Sequence, residues 1–146
     1  MIPMLLSRGA KGVPAPAPVD FATLTLPPTP NTCLLTPGTA PGIGHLHRDP
    51  YPVTPDQAFA AIRAVGAAQP RCFPLAEYPG RRQAQWVART RLMNYPDIIV
   101  AEVAPAGAGT GLWLYSRSLI GRSDFGVNRA RVMTWLAAFE DRLRQG

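Results

Sequence analysis

Twelve of the seventeen prolines in this 146-residue chain lie between Pro3 and Pro55, and that segregation constrains where regular structure can form. Proline donates no backbone hydrogen bond and disfavours helical geometry in the residue before it. The first third is therefore read as mainly irregular. The run VPAPAPV at 13–19 is an extended polyproline-type linker. Val19 to Leu26 alternates in part and is read as a short edge strand. Residues 27–38 form turn, short extended piece and turn, and 39–52 a surface loop. On this reading residues 1–26 are a Pro/Ala-rich tail or linker and 27–146 a single domain.

Regular structure begins where the prolines thin out. Thr54 is a good N-cap, Pro55 suits the first helical position and Gln57 completes a capping box. Phe59, Ile62 and Val65 then mark a buried helix face, and Gly66 and Pro70 end it. Arg71 to Ala76 reads as a strand, with a turn at Pro79-Gly80. From Gln83 to Met93 the alternation places Trp86, Ala88 and Leu92 on one face and Gln85, Arg89 and Arg91 on the other. Asp97 to Val103 is apolar on both faces and so is central. After a loop at 107–111, Leu112, Leu114, Ser116 and Ser118 share one face, and Trp113, Tyr115 and Arg117 the other. A final helix, from about Phe125 to Leu143, carries the stripe Val132, Trp135, Leu136, Phe139 and Leu143. The expected fold is α+β: an antiparallel sheet of three to five strands with two helices packed on one face.

Composition excludes little. Hydrophobic residues make up 47% and charged residues 16%, which fits a globular chain. The net charge is +6, a balance that attracts anions. Lys11 is the only lysine, however, and the Arg, Ala and Pro enrichment also reads as background composition. No nucleic-acid motif of the RNP type accompanies the charge, so nucleic acid is not the expected partner. Cys33 and Cys72 form no CxxC pair and no zinc spacing, though a single disulfide between them is open. His45 and His47, with Asp49 nearby, lack a well-placed third ligand, so no metal and no cofactor is expected. No stretch has the length of a transmembrane helix.

The densest polar stretch is YSRSLIGRSDFGVNRARV at Tyr115 to Val132. It reads as a strand end running through a tight turn into a basic helix, with Gly121 and Gly126 around Ser123 and Asp124. Ser116, Ser118, Gly121, Ser123, Asp124, Gly126, Asn128 and Arg131 resemble the signature of the bacterial family called domain of unknown function 1499. Pro30-Asn31-Thr32-Cys33 and the hairpin Arg89-Thr90-Arg91-Leu92-Met93 with Tyr95-Pro96-Asp97 resemble further pieces of it. Tyr115 and Leu119 depart from the pattern where arginine is usual. The resemblance covers roughly residues 27–144 and implies no reaction. Many relatives carry an apolar segment before the domain, which implies the cell envelope. The chain as written is expected in the cytoplasm, or membrane-associated or periplasmic if its start lies upstream.

These residues support two functional expectations. In the first, the chain is a non-catalytic binding or accessory module. Its surface joins Arg117, Ser123, Asp124, Asn128, Arg129 and Arg131 at the junction to Arg89 and Arg91 on the sheet. The ligand is an anionic small molecule, a lipid headgroup or a protein partner's acidic patch. A structural alternative has Ser123 or Asp124 capping the helix and Asp124 pairing with Arg131. The second expectation is a small hydrolase using Asp124 with Ser116 or Ser118 and arginines. The serines lack a nucleophile elbow, so an enzyme is the less favoured reading.

Overall fold

The computed structural model describes residues 5–14, 16–28, 31–38, 44–121 and 126–146. Six strands, β1 (Thr32–Pro37), β2 (Leu46–Arg48), β3 (Cys72–Tyr78), β4 (Gln83–Arg89), β5 (Pro96–Ala106) and β6 (Gly109–Ser118), form one sheet in the order β2-β1-β6-β5-β4-β3. Two helices, α1 (Pro55–Ala68) and α2 (Val127–Gln145), pack on it. The α+β class holds, but the sheet is larger than expected and is mixed, because β1 and β2 run parallel while all other neighbours are antiparallel. The short extended piece in the proline-rich third is in fact an interior strand. Cys33, Leu34 and Leu35 are buried on both faces of the sheet, so apolarity outweighs the flanking prolines there.

The first helix starts as its sequence dictates. Thr54 accepts from the Gln57 backbone, and the Gln57 side chain accepts from Thr54 N. Its buried face is Ala58, Phe59, Ile62, Val65 and Gly66. A Cβ at Gly66 would collide with the Trp86 indole, so this glycine lets α1 lie directly on β4. Trp86 in turn meets Trp135 of α2 edge-on, with centroids 5.0 Å apart. Both tryptophans belong to the core between sheet and helices, along with Cys33, Leu35, Ile99, Leu114 and Phe139.

The other face of the sheet is covered too. Phe21 is buried, and Val13, Val19, Leu24 and Leu26 pack against Leu34, Val87, Ile98, Val100 and Tyr115. The described residues of the stretch 1–26, expected as tail or linker, thus lie on the sheet, and 19–26 form no strand. Their backbone is held by a row of side chains on β4 and beside it. Gln83 accepts from Val19 N at 2.9 Å and donates to Val19 O at 2.8 Å. Gln85 donates to Ala17 O, and Tyr78 to Pro16 O. An extended proline-rich segment has no partner for its carbonyls within itself, and these amides and hydroxyl supply one.

Candidate functional site

The 115–132 stretch brings its polar residues to one place by two simple periodicities. Ser116 and Ser118 are two apart on β6 and face the helices. Asn128 and Arg131 are three apart on α2 and share its inner face. The Ser116 hydroxyl donates to Asn128 Oδ1 at 2.5 Å. Asn128 Nδ2 donates to Ser118 Oγ at 2.9 Å and to Asn31 O at 3.0 Å. Asn31 Nδ2 donates to Gly121 O at 2.8 Å. Arg131 Nη1 donates to Asn128 Oδ1 at 2.9 Å and Ser116 Oγ at 3.2 Å. The same nitrogen lies 2.9 Å from Asp97 Oδ2, as an ion pair that is not lined up as a hydrogen bond.

Ser116 and Asn128 are fully buried, and Asp97 nearly so. The cluster therefore ties the lead-in to β1, the start of β5, the end of β6 and the start of α2 together in a dry setting. Buried polar groups at this density are tolerated because they satisfy one another. Among the described residues, the carboxylate that meets Arg131 is Asp97. Ser123 and Asp124 themselves lie outside the described residues. The N-cap position of α2 is Gly126, at φ +83°, a left-handed conformation natural to glycine.

The remaining expected site residues do not form one surface. Arg89 was expected on a solvent-facing sheet side, yet it is buried. It donates to Gly9 O at 3.0 Å, Lys11 O at 2.9 Å and Asn94 O at 3.1 Å, so its guanidinium clamps the N-terminal segment. Burial lowers its pKa. Arg117 sits on that same far face, bordering a small cavity of about 150 Å³ beneath Val13, Pro14 and Pro16. Arg129 is exposed on the outer side of α2. Arg91 is not on a strand. β4 ends at Arg89, and the chain turns through Asn94 at φ +54°, with Tyr95 N donating to Thr90 Oγ1. Leu92, expected on the same strand face as Trp86 and Ala88, is instead 91% exposed at the tip of that turn.

The turn carries Arg91 to the mouth of a groove of about 360 Å³ beside Arg131. The groove runs between the end of α1 and the start of α2. Ile99, Ala88 and Trp135 contribute to its apolar surface, and Arg71, Arg89, Thr90, Arg91, Arg131 and Thr134 to its polar one. No carboxylate is among the lining residues, and Arg71 and Arg91 enter no salt bridge among the described residues. A neighbouring groove of about 340 Å³ holds both Arg63 and Glu77. These pair at 2.9 Å, so its charge is largely cancelled. Cys72 borders both grooves, and burial pushes its thiol up to about 11 against the pull of the nearby Arg131.

Of the groove residues, Arg89, Arg91 and Arg131 were expected from the sequence, and Arg71, Thr90 and Thr134 were not. Arg71 carries no sequence signal of its role. Asn31 and Asp97 were within reach, since both fall in the pieces that resemble the family pattern.

Among the described residues, no other chemistry is assembled. Ser116 is buried, with its proton given to Asn128, so it is not presented to a substrate. His45 Nδ1 accepts from Leu34 N at 3.0 Å, and His47 Nδ1 lies 2.8 Å from Thr36 Oγ1. No group of three metal-ligating side chains is present among the described residues. No disulfide joins Cys33 and Cys72. No described helix is long and apolar enough to cross a membrane.

Comparison with known proteins agrees with the resemblance. The family described as protein of unknown function DUF1499 matches residues 24–139. No curated protein matches. A crystal structure of protein CV1439 from Chromobacterium violaceum is similar at 12% identity over 78% of this chain and 95% of that one. Its TM-score is 0.39, which carries no argument about function. The chain belongs to the DUF1499 family.

Proposed function

We propose that this member of the family is a non-catalytic binding module of the bacterial cell envelope, and that it holds an anionic ligand in the groove between α1 and α2. The observation that carries the reading is the groove's charge: Arg71, Arg91 and Arg131 line it without a carboxylate. Asp97 takes up part of the Arg131 charge, and Arg89, which also lines the groove, is engaged by the carbonyls of Gly9, Lys11 and Asn94, which leaves Arg71 and Arg91 to meet the anion. Ile99 and Trp135 offer a surface for an apolar remainder. Two arginines with free guanidinium donors suit a phosphate or carboxylate. The envelope placement follows the expectation from the chain's relatives.

The test is titration of octyl phosphate into the intact chain, followed by tryptophan fluorescence, since Trp135 lines the groove. Saturable quenching is expected, with affinity about tenfold weaker in Arg71→Ala/Arg91→Ala, on the scale of one charge-assisted hydrogen bond. Both residues are exposed, so the double variant keeps its fold. Absence of saturation, or equal binding by the variant, would remove the reading.

A further inference from the structure

Among the described residues, the large apolar side chains left in solvent are Leu6, Phe73, Leu92, Met93, Val127 and Met133. Five of these gather at one end of the molecule. Leu92 and Met93 form the tip of the turn after β4, 91% and 59% exposed. Leu6, 79% exposed, is brought there because Asn94 Nδ2 donates to Leu5 O at 2.7 Å and Ser7 O at 2.8 Å. Phe73 packs beside Gly9, whose carbonyl Arg89 holds. Val127 shares the groove with Arg91. Scattered exposed apolar residues need no explanation, but a gathered set does.

The charge is segregated in the same direction. Arg48, Arg63, Arg81, Arg82 and Arg144 are all paired with Glu140, Glu77, Glu102, Asp56 and Asp141, away from this end. Arg8, Lys11, Arg71, Arg91, Arg117 and Arg129 lie at or near it, and none enters a salt bridge among the described residues; of the described cations away from this end only Arg142, in the last turn of α2, is likewise without one. The described carboxylate at this end is Asp97, which is buried against Arg131. Exposed leucine and methionine ringed by uncompensated cations fit an interface that is apolar inside and negative at its surface.

We infer that this end of the protein docks on an anionic lipid bilayer. Leu92, Met93 and Leu6 enter the headgroup boundary, and Arg8, Lys11 and Arg91 meet the phosphates. This goes beyond the groove reading, and of the residues named for it only Arg91 also lines the groove. A protein partner with an acidic rim is the competing occupant, but the apolar tip is a turn rather than a groove or a flat face. A protruding tip suits insertion among lipids better than packing against a folded surface.

The experiment is co-sedimentation of the intact chain with phosphatidylcholine vesicles, with and without phosphatidylglycerol. Sedimentation with the anionic vesicles alone is expected. Leu92→Ser/Met93→Ser changes no charge and touches only exposed side chains, and should lower the partition coefficient at least about tenfold. Met133→Ser, exposed on α2 outside the cluster, should sediment like the unaltered chain. The proposal fails if the chain stays in solution with both vesicle types. It fails equally if the Leu92/Met93 variant sediments unchanged, since net charge alone then explains adsorption. Release by free inorganic phosphate at a concentration that fills the groove would also overturn it, by assigning the lipid to the groove. Failure on these terms, with octyl phosphate still bound saturably, leaves the groove reading intact.

Discussion

Asn128 makes the clearest case for what one residue of the family signature does. Its amide accepts from Ser116 and Arg131 and donates to Ser118 and to the carbonyl of Asn31. Asn128→Ala leaves several buried groups unpaired at once, so a loss of about 3 kcal/mol is expected. Urea unfolding of the purified variant measures it, and a loss below about 1 kcal/mol would mean that water replaces the amide. Asp97→Ala should cost about as much, since it strands the largely buried Arg131 guanidinium. A second residue-scale effect concerns pH. The Cys72 thiol is held up at about 11 in the folded chain, against an ordinary 9.0. The unfolded chain therefore loses this proton first as pH rises. Stability contributed by the neutral thiol is complete below about pH 9 and is lost between about 9 and 11. Melting curves across that window should fall less steeply for Cys72→Ala, by about 1 kcal/mol once partial solvent screening is allowed for. Equal slopes would show that the thiol titrates normally.

At the scale of elements, the helices and most strands were legible. The capping box at Thr54 and the core stripe of the last helix are local signals, and local signals survive into the fold. The partner of the second sheet face was not. Gln83, Gln85 and Arg89 alternate along β4 as a solvent-facing row would, and nothing in a period of two reveals that another part of the chain lies on it. The covering segment is rich in proline and so looks like a linker. Its carbonyls are nonetheless the acceptors for that polar row. Arg89→Met should therefore release residues 5–14 without unfolding the sheet. Faster amide exchange and new proteolytic cleavage in that segment are the expected readouts, with the exchange of β5 unchanged. Uniform acceleration throughout the chain would instead make Arg89 part of the global core. Removing residues 1–26 should be more severe, because Tyr115, Val100 and Ile98 would face water.

For the whole molecule, the candidate site was legible only in part. The signature drew attention to the right junction, and Arg131 and Arg91 do meet at one groove. The rest of the expected surface came apart because strand parity sends Ser116 and Arg117 to opposite faces, and because β4 ends two residues before Arg91. The signature residues that can be placed serve mainly to join β1, β5, β6 and α2. That joining sets Arg131 at the groove's edge, while the arginines free to meet a ligand lie elsewhere in the chain. The most direct measurement is a residue-resolved one: ¹H–¹⁵N spectra of the 15.7 kDa chain titrated with inorganic phosphate. Saturable shifts confined to Arg71, Thr90, Arg91, Val127, Ala130, Arg131 and Thr134 are expected. Shifts spread over every exposed arginine, or centred on Arg117 and the far face, would contradict the groove reading.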